Sequence, residues 1–214
     1  MLVELEKLSH ADAYKLLISA LVPRPIAFIS SLGADGTLNL APFSFFMGAG
    51  SNPPMIAVSI EAREGKPKDT VRNIRHSGDF VVNLVTEEIA AAMNQASGDW
   101  PYEVDEFALT GLTPAPSARV RPPRVSESPV NFECRVVDMR EIGRSPNTLI
   151  VAEVVCMHVR DDLVLAGKSR VDTAALHAVG RLGGPQYCRV RDIFEMVRPR
   201  VQRPSSEPSG EPSG

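Results

Sequence analysis

The chain has 214 residues, 43% hydrophobic and 23% charged, a composition that can bury about 70% of the unfolded surface without a disulfide or metal staple. Its net charge of -3, from 26 acids against 23 bases with no long basic run, excludes a nucleic-acid binder, which needs a clustered positive footprint. No segment has the unbroken apolar length of a membrane-spanning helix.

In chain order, Ser9 is placed to cap a helix, with Asp12 as a capping-box variant, and Ala13, Leu16, Leu17, Ala20 and Leu21 follow at helical spacing. The start, "MLVELEKLSHADAYKLL", carries glutamates where a secretion signal has a basic flank and an apolar run. Cys134, Cys156 and Cys188 are dispersed, with no C-x-x-C pair, as expected of free thiols in a reducing compartment. A cytoplasmic protein is the expectation.

The stretch "LVPRPIAFISS" sets Arg24 between two prolines at the entrance to an apolar strand. Pro23 and Pro25 fix their own φ and push the preceding residues towards extended backbone. Arg24 is therefore held on a stiff wall, either presenting a surface to a ligand or pairing with a carboxylate for folding alone. "IAFISSLG" reads as a strand, Asp35-Gly36 as a hairpin turn and "TLNLAPFSFF" as the returning strand.

"MIAVSIEA" (55–62) and "DFVVNLV" (79–85) are further strands, with a short helix in "DTVRNIRHSG" between them. A longer helix is expected in "TEEIAAAMNQASG", with Thr86 as its cap and Gly98 beyond its end. "VNFECRVVDMREIG" and "NTLIVAEVVCMHVRDD" are long strands joined by a Ser-Pro-Asn turn; "LVLAG" is a short strand, and "DTAALHAVG" a late helix. Strands at hairpin spacing with inserted helices describe a mainly β fold with flanking helices, a small antiparallel barrel. Residues 203–214 repeat E-P-S-G and are expected to be a disordered tail, leaving 1–202 as one domain.

Familiar catalytic patterns are missing. The four histidines, His10, His76, His158 and His177, have no close ligand spacing, there is no G-x-S-x-G, and "GAG" at 48–50 lacks the rest of a dinucleotide fingerprint. Two stretches carry more. Ser30, Ser31, Asn39 and Ser44 lie among apolar neighbours in the first hairpin, where Pro42 removes a ladder donor and marks an edge or bulge. Free backbone groups beside Phe43, Phe45 and Phe46 suit a flat ring with a polar rim, although scattered strand hydroxyls are equally consistent with structure alone. In "EGKPKDTVRN", Lys66, Lys68 and Thr70 stand at a helix start, where free amides favour a phosphate; an Asp69 cap would compete for the same amides. A ring plus a phosphate points to a phosphorylated cofactor.

At these residues the sequence resembles the flavin reductase-like family with an FMN-binding split barrel, in the flavoredoxin group. The matching pieces are "PRPIAFISSLGADGTLNLAPFSFF", "GKPKDTVRNI" followed by "DFVVNLV", "ESPVNFEC" and "GRLGGPQY", in that order and spanning the chain to about Arg200. The resemblance implies a six-stranded antiparallel split barrel and a homodimer with FMN held non-covalently near the interface. By the same resemblance Ser30, Ser31 and the backbone around Asn39, Ala41 and Ser44 line the ring and ribityl chain, and Lys68 and Thr70 hold the phosphate. Asn83 lies close by, and Arg24 stands on the rim. Gly183, beside Gly184, either admits the ring or turns the chain, and Tyr187 is a candidate pocket residue. Trp100 is a candidate cover donated by the partner subunit.

The implied activity is an NAD(P)H-dependent flavin reductase, with NADH or NADPH as reductant and no protein nucleophile or metal required. The alternatives are a flavoredoxin-like carrier reduced by a partner protein and a non-catalytic FMN-binding protein. A pyridoxamine-phosphate oxidase relative is disfavoured, because no second basic cluster is present.

Overall fold

A computed structural model describes residues 1–144 and 147–199. Ser9 caps α1 (His10–Ala20) by accepting from the Asp12 amide, as its spacing predicts. The strands that follow are β1 (Ala27–Leu32), β2 (Leu38–Phe43), β3 (Phe46–Ser51) and β4 (Pro54–Glu61). Next come α2 (Asp69–Ser77), β5 (Asp79–Leu84), α3 (Ala90–Ala96) and α4 (Glu106–Thr110). Two short strands, β6 (Pro114–Ala115) and β7 (Arg124–Val125), precede the long hairpin of β8 (Val130–Ile142) and β9 (Asn147–Val159). β10 (Val179–Arg181) and β11 (Tyr187–Arg189) complete the described elements.

Seven of these strands form one antiparallel sheet in the order β2-β1-β5-β8-β9-β4-β3. The fold is mainly β with flanking helices, of the split-barrel class, with one strand more than the six expected. The extra strand is β3. "TLNLAPFSFF" does not run on as a single strand: it breaks at Ser44-Phe45, and β3 then pairs with β4 across a bulge at Gly48/Gly50.

β1 is buried on both faces, which is why "IAFISS" has little polar alternation. Ala27 and Ile29 join Val58, Phe80, Val82 and Ile150 in a core sealed by Val71 and Ile74 of α2. Ile26 and Phe28 face the other way, under Met93 of α3 and Phe107 of α4. Burying a side chain such as Phe28 completely contributes about 2–3 kcal/mol. The polar side chains on such a strand must find partners inside the protein.

Three expected local elements differ. Thr86 does not cap a helix: its backbone bridges Ala178, and α3 begins only at Ala90 with Ile89 in the cap position. The late helix shrinks to a single turn in which the Asp172 carboxylate accepts from the Ala174 and Ala175 amides, and His177 leaves with φ 48°. "LVLAG" contributes only the Val164–Val171 bridge: a 3-10 turn at Asp161–Leu163 takes in its first residue, and Gly167 turns the chain at its end with φ 68°. Ser145 and Pro146 of the expected hairpin turn, and the tail at 203–214, lie outside the described residues. Among the described residues no helix is long and apolar enough to cross a membrane.

Candidate functional site

β2 is an end strand of the sheet, so Pro42 sits on an edge, as its missing donor requires. Beside it lies a cleft of about 320 Å³, walled by Asn39, Ala41, Pro42 and Phe43 of β2, the loop 63–68, and Trp100. A second hollow of about 300 Å³ continues from it, lined by Arg24, Ser44, Arg181 and Tyr187 and sharing Pro42, Phe43 and Ser97 with the first. Together they form one trough passing over Pro42 and Phe43, whose lining is mostly polar, with Pro42, Phe43 and Trp100 as its main apolar faces.

The first cleft ends at the start of α2. Lys68 occupies the cap position in extended backbone, without a side-chain cap on the first amides. Its ammonium lies 5.9 Å from the Phe43 ring centroid. Asp69 does not compete for those amides: it is the first helical residue, and its carboxylate pairs with Arg72 at 3.1 Å. Arg63 is likewise paired, with Asp99 at 3.1 Å, whereas Lys66 and Lys68 have no ion pair among the described residues. Free amides, two lysines and the positive end of the helix make an anion-binding corner.

The floor of the cleft is a buried polar network. Asn39 Oδ1 accepts from the Thr70 hydroxyl at 2.7 Å and the Ser31 hydroxyl at 3.2 Å, and Ser31 accepts from Asn73 Nδ2 at 3.2 Å. Asn39 Nδ2 donates to Glu106 Oε1 at 3.1 Å, and the Leu40 amide donates to Glu106 Oε2 at 3.0 Å. Burial raises the proton affinity of Glu106 above that of an ordinary carboxyl, and the bonds from Leu40 and Asn39 oppose this only in part. Thr70 thus lines the cleft with its hydroxyl hydrogen already committed to Asn39. Ser31 lies beneath the floor, fully buried.

The structure gathers Arg24, Asn39, Ala41, Ser44, Lys68, Thr70 and Tyr187 around the trough. It does not bring Ser30, Asn83 or Gly183 there. Ser30 and Asn83 are fully buried. The Ser30 hydroxyl donates to Pro123 O at 2.5 Å. Asn83 Nδ2 donates to Phe28 O and Ser30 Oγ, while its Oδ1 accepts from the Val125 amide and Asn131 Nδ2. Both residues bind the 123–125 segment to the sheet. Gly183 faces α1: a Cβ there would stand 2.9 Å from Ser19 Oγ and 3.2 Å from Ser19 Cα. Gly184, at φ 55°, makes the turn.

Arg24 is on the rim but turned away from the opening, only 5% exposed. Its Nη1 donates to Ile18 O at 2.6 Å and Leu21 O at 2.5 Å, and its Nη2 donates to Leu182 O at 2.8 Å. Only a long contact of 3.4 Å, from Nε to Ser44 Oγ, reaches the trough. No carboxylate pairs with it among the described residues; it closes the carbonyl end of α1. Tyr187 is hydrogen-bonded to Arg181, whose guanidinium lies 4.5 Å from the ring centroid. Trp100 walls the cleft of its own chain, with Nε1 donating to Gln95 O at 3.0 Å.

Glu106 is the cleft residue that the sequence reading missed. The available signal was Asp105-Glu106 before an apolar run: Asp105 does cap α4, accepting from the Phe107 and Ala108 amides. A cap motif places that helix without indicating that the next carboxylate is buried against β2.

Residues 19–174 match the family described as the flavin reductase like domain. A protein of Deinococcus radiodurans is 43% identical over 202 residues, covering 91% of this chain and 88% of that one. The crystal structure of nitrilotriacetate monooxygenase component B from Bacillus cereus is 34% identical with a TM-score of 0.88, covering 92% of this chain and 98% of that one. The 2-nitrobenzoate 2-nitroreductase of Pseudomonas fluorescens is 30% identical with a TM-score of 0.86, covering 96% of this chain and 100% of that one.

Proposed function

Because the chain belongs to the flavin reductase-like family, we propose that it is an FMN-binding oxidoreductase that draws its electrons from NADH or NADPH. The observation that carries the reading is the trough over Pro42 and Phe43, which ends at the uncapped start of α2 beside Lys68. Bound FMN supplies the hydride and electron chemistry. The residues of this chain fit it: Lys68 and the first amides of α2 take the phosphate, and the edge of β2 at Asn39, Ala41 and Ser44 faces the ribityl chain and ring. Tyr187 bounds the far end. Arg24 acts on the site as a positioning residue, by fixing the end of α1 and the strand that carries the rim.

A homodimer is part of the proposal. Leu16 and Leu17 of α1, Leu21 at its C-terminal cap and Met47 of β3 are each at least 45% exposed, an apolar surface suited to a second copy. A second reading, delivery of electrons to a partner protein, is favoured by the likeness to a protein described as one component of a monooxygenase.

The test is an anaerobic absorption spectrum of the FMN-loaded protein before and after NADH, then NADPH. Prompt bleaching by one of them supports the reductase reading and identifies the donor. A flavin that stays oxidised with both, and is reduced by a protein donor, moves the assignment to the carrier reading. Lys68→Ala should weaken FMN binding by roughly 10- to 100-fold, as expected for loss of a charge-assisted contact. Unchanged affinity would place the phosphate elsewhere.

A further inference from the structure

On the opposite strands of the long hairpin, we propose that Glu133, Cys156 and His158 form a binding site for a thiophilic divalent cation, with zinc as the matching ion. The register sets Glu133 of β8 directly opposite Cys156 of β9. His158 lies two residues beyond Cys156, on the same face of its strand. One carboxylate oxygen, the thiol sulfur and one imidazole nitrogen all lie within 4.8 Å of one another. The site shares no residue with the trough and does not depend on flavin binding.

The three groups differ in how they are held, and the difference suits a metal. Glu133 is completely buried, and each of its oxygens accepts a backbone amide: Ala118 N at 2.7 Å and Arg119 N at 2.6 Å. Such supporting hydrogen bonds orient a ligating carboxylate. His158 Nε2 approaches Glu133 Oε1 to 2.5 Å, and its side chain is 28% exposed. The Cys156 thiol has only a contact of 4.0 Å to Met157 O among the described residues. Zinc bonds of about 2.0–2.3 Å in tetrahedral geometry place ligand atoms roughly 3.3–3.8 Å apart. The carboxylate–imidazole contact therefore opens by about one ångström as the sulfur closes in, a movement available to the two side chains that are not fully buried.

A sulfur, nitrogen and oxygen donor set selects zinc over magnesium or calcium, which prefer all-oxygen sites. Three protein ligands leave a fourth position open. His158 also lines a cleft of about 650 Å³ bounded by residues 124–131 and 157–160, through which solvent reaches it. A plain Glu133–His158 pair that merely pins the 118–119 segment would account for the carboxylate and the imidazole but gives the thiol no role. Cys156 is therefore the discriminating residue.

The experiment is titration of the purified full-length protein with cobalt(II), followed by displacement with zinc. One equivalent of cobalt should bind and produce a thiolate-to-cobalt charge-transfer band that zinc abolishes. Cys156→Ser should eliminate the band and weaken zinc binding at least tenfold, whereas Cys188→Ser should change neither. His158→Ala should weaken zinc binding similarly, and His158→Gln serves if the alanine variant fails to fold. Absence of the band, its survival in Cys156→Ser, or its loss in Cys188→Ser would overturn the proposal.

Discussion

Replacing Arg24 with alanine separates a structural arginine from a cofactor-binding one. Its three bonds to Ile18, Leu21 and Leu182 carbonyls are charge-assisted. At about 1.5–3 kcal/mol each, they set a ceiling near 4.5–9 kcal/mol. The true loss is smaller, because α1 has no buried residue and water can reach the vacated Ile18 and Leu21 carbonyls. About 3 kcal/mol is expected, or roughly 6–12 °C in Tm for a chain of this size. The assay is urea unfolding of the flavin-free protein followed by far-UV circular dichroism, with FMN affinity measured alongside. The family resemblance, which puts Arg24 on the pocket rim, points the other way, to a flavin defect larger than any stability defect. A loss below about 1 kcal/mol together with a tenfold drop in FMN affinity would refute the reasoning from these hydrogen bonds.

Asn83→Ala should cost about 3–5 kcal/mol in the same denaturation assay, because the Val125 amide and Asn131 lose a buried acceptor. A loss under about 1 kcal/mol would mean that the 123–125 segment finds other partners. Gly183→Ala should lower Tm through its clash with Ser19, at about 1–3 kcal/mol. Adding Ser19→Ala should recover only part, since the Ser19 Cα is also too close; full recovery would contradict the packing. Burial raises the folded-state pKa of Glu106 above its ordinary value of 4.5. Its contribution to stability is then fully present below pH 4.5 and is lost as pH rises through the folded value. Wild-type stability relative to Glu106→Gln should therefore fall from pH 4.5 towards neutrality, and a flat difference would place the carboxylate in solvent.

What was legible in the sequence was what local chemistry decides. Ser9 and Asp12 determine where α1 begins; Asp35-Gly36 turns the first hairpin, and Pro42 keeps β2 at an edge. Lys66 and Lys68 mark the start of α2 by charge and spacing, and the structure leaves them beside its uncapped amides. β3 was lost because "FMGAGS" has neither the alternation nor the branched residues of a strand; its pairing comes from β4. Thr86 had the side chain of a cap, but a long-range bridge to Ala178 claimed its backbone.

Ser30 and Asn83, two of the candidates that lie away from the trough, do so for a common reason. On a strand exposed on one face, a serine or asparagine marks the wet side, and polarity identifies what a ligand can reach. β1 and β5 are buried on both faces over most of their length, so polarity there marks only a need for an internal partner. Ser30 finds Pro123, 93 positions away, and Asn83 finds Val125, 42 positions away. Asn39 looks the same in sequence, yet it lines the cleft because Thr70 and Glu106 hold its amide in the floor. Residue type supplied the candidates, and long-range pairing divided them between scaffold and trough. Glu106 shows the same division from the other side: it reads as a second acid beside the Asp105 cap, and only its bonds to Asn39 and Leu40 make it part of the site.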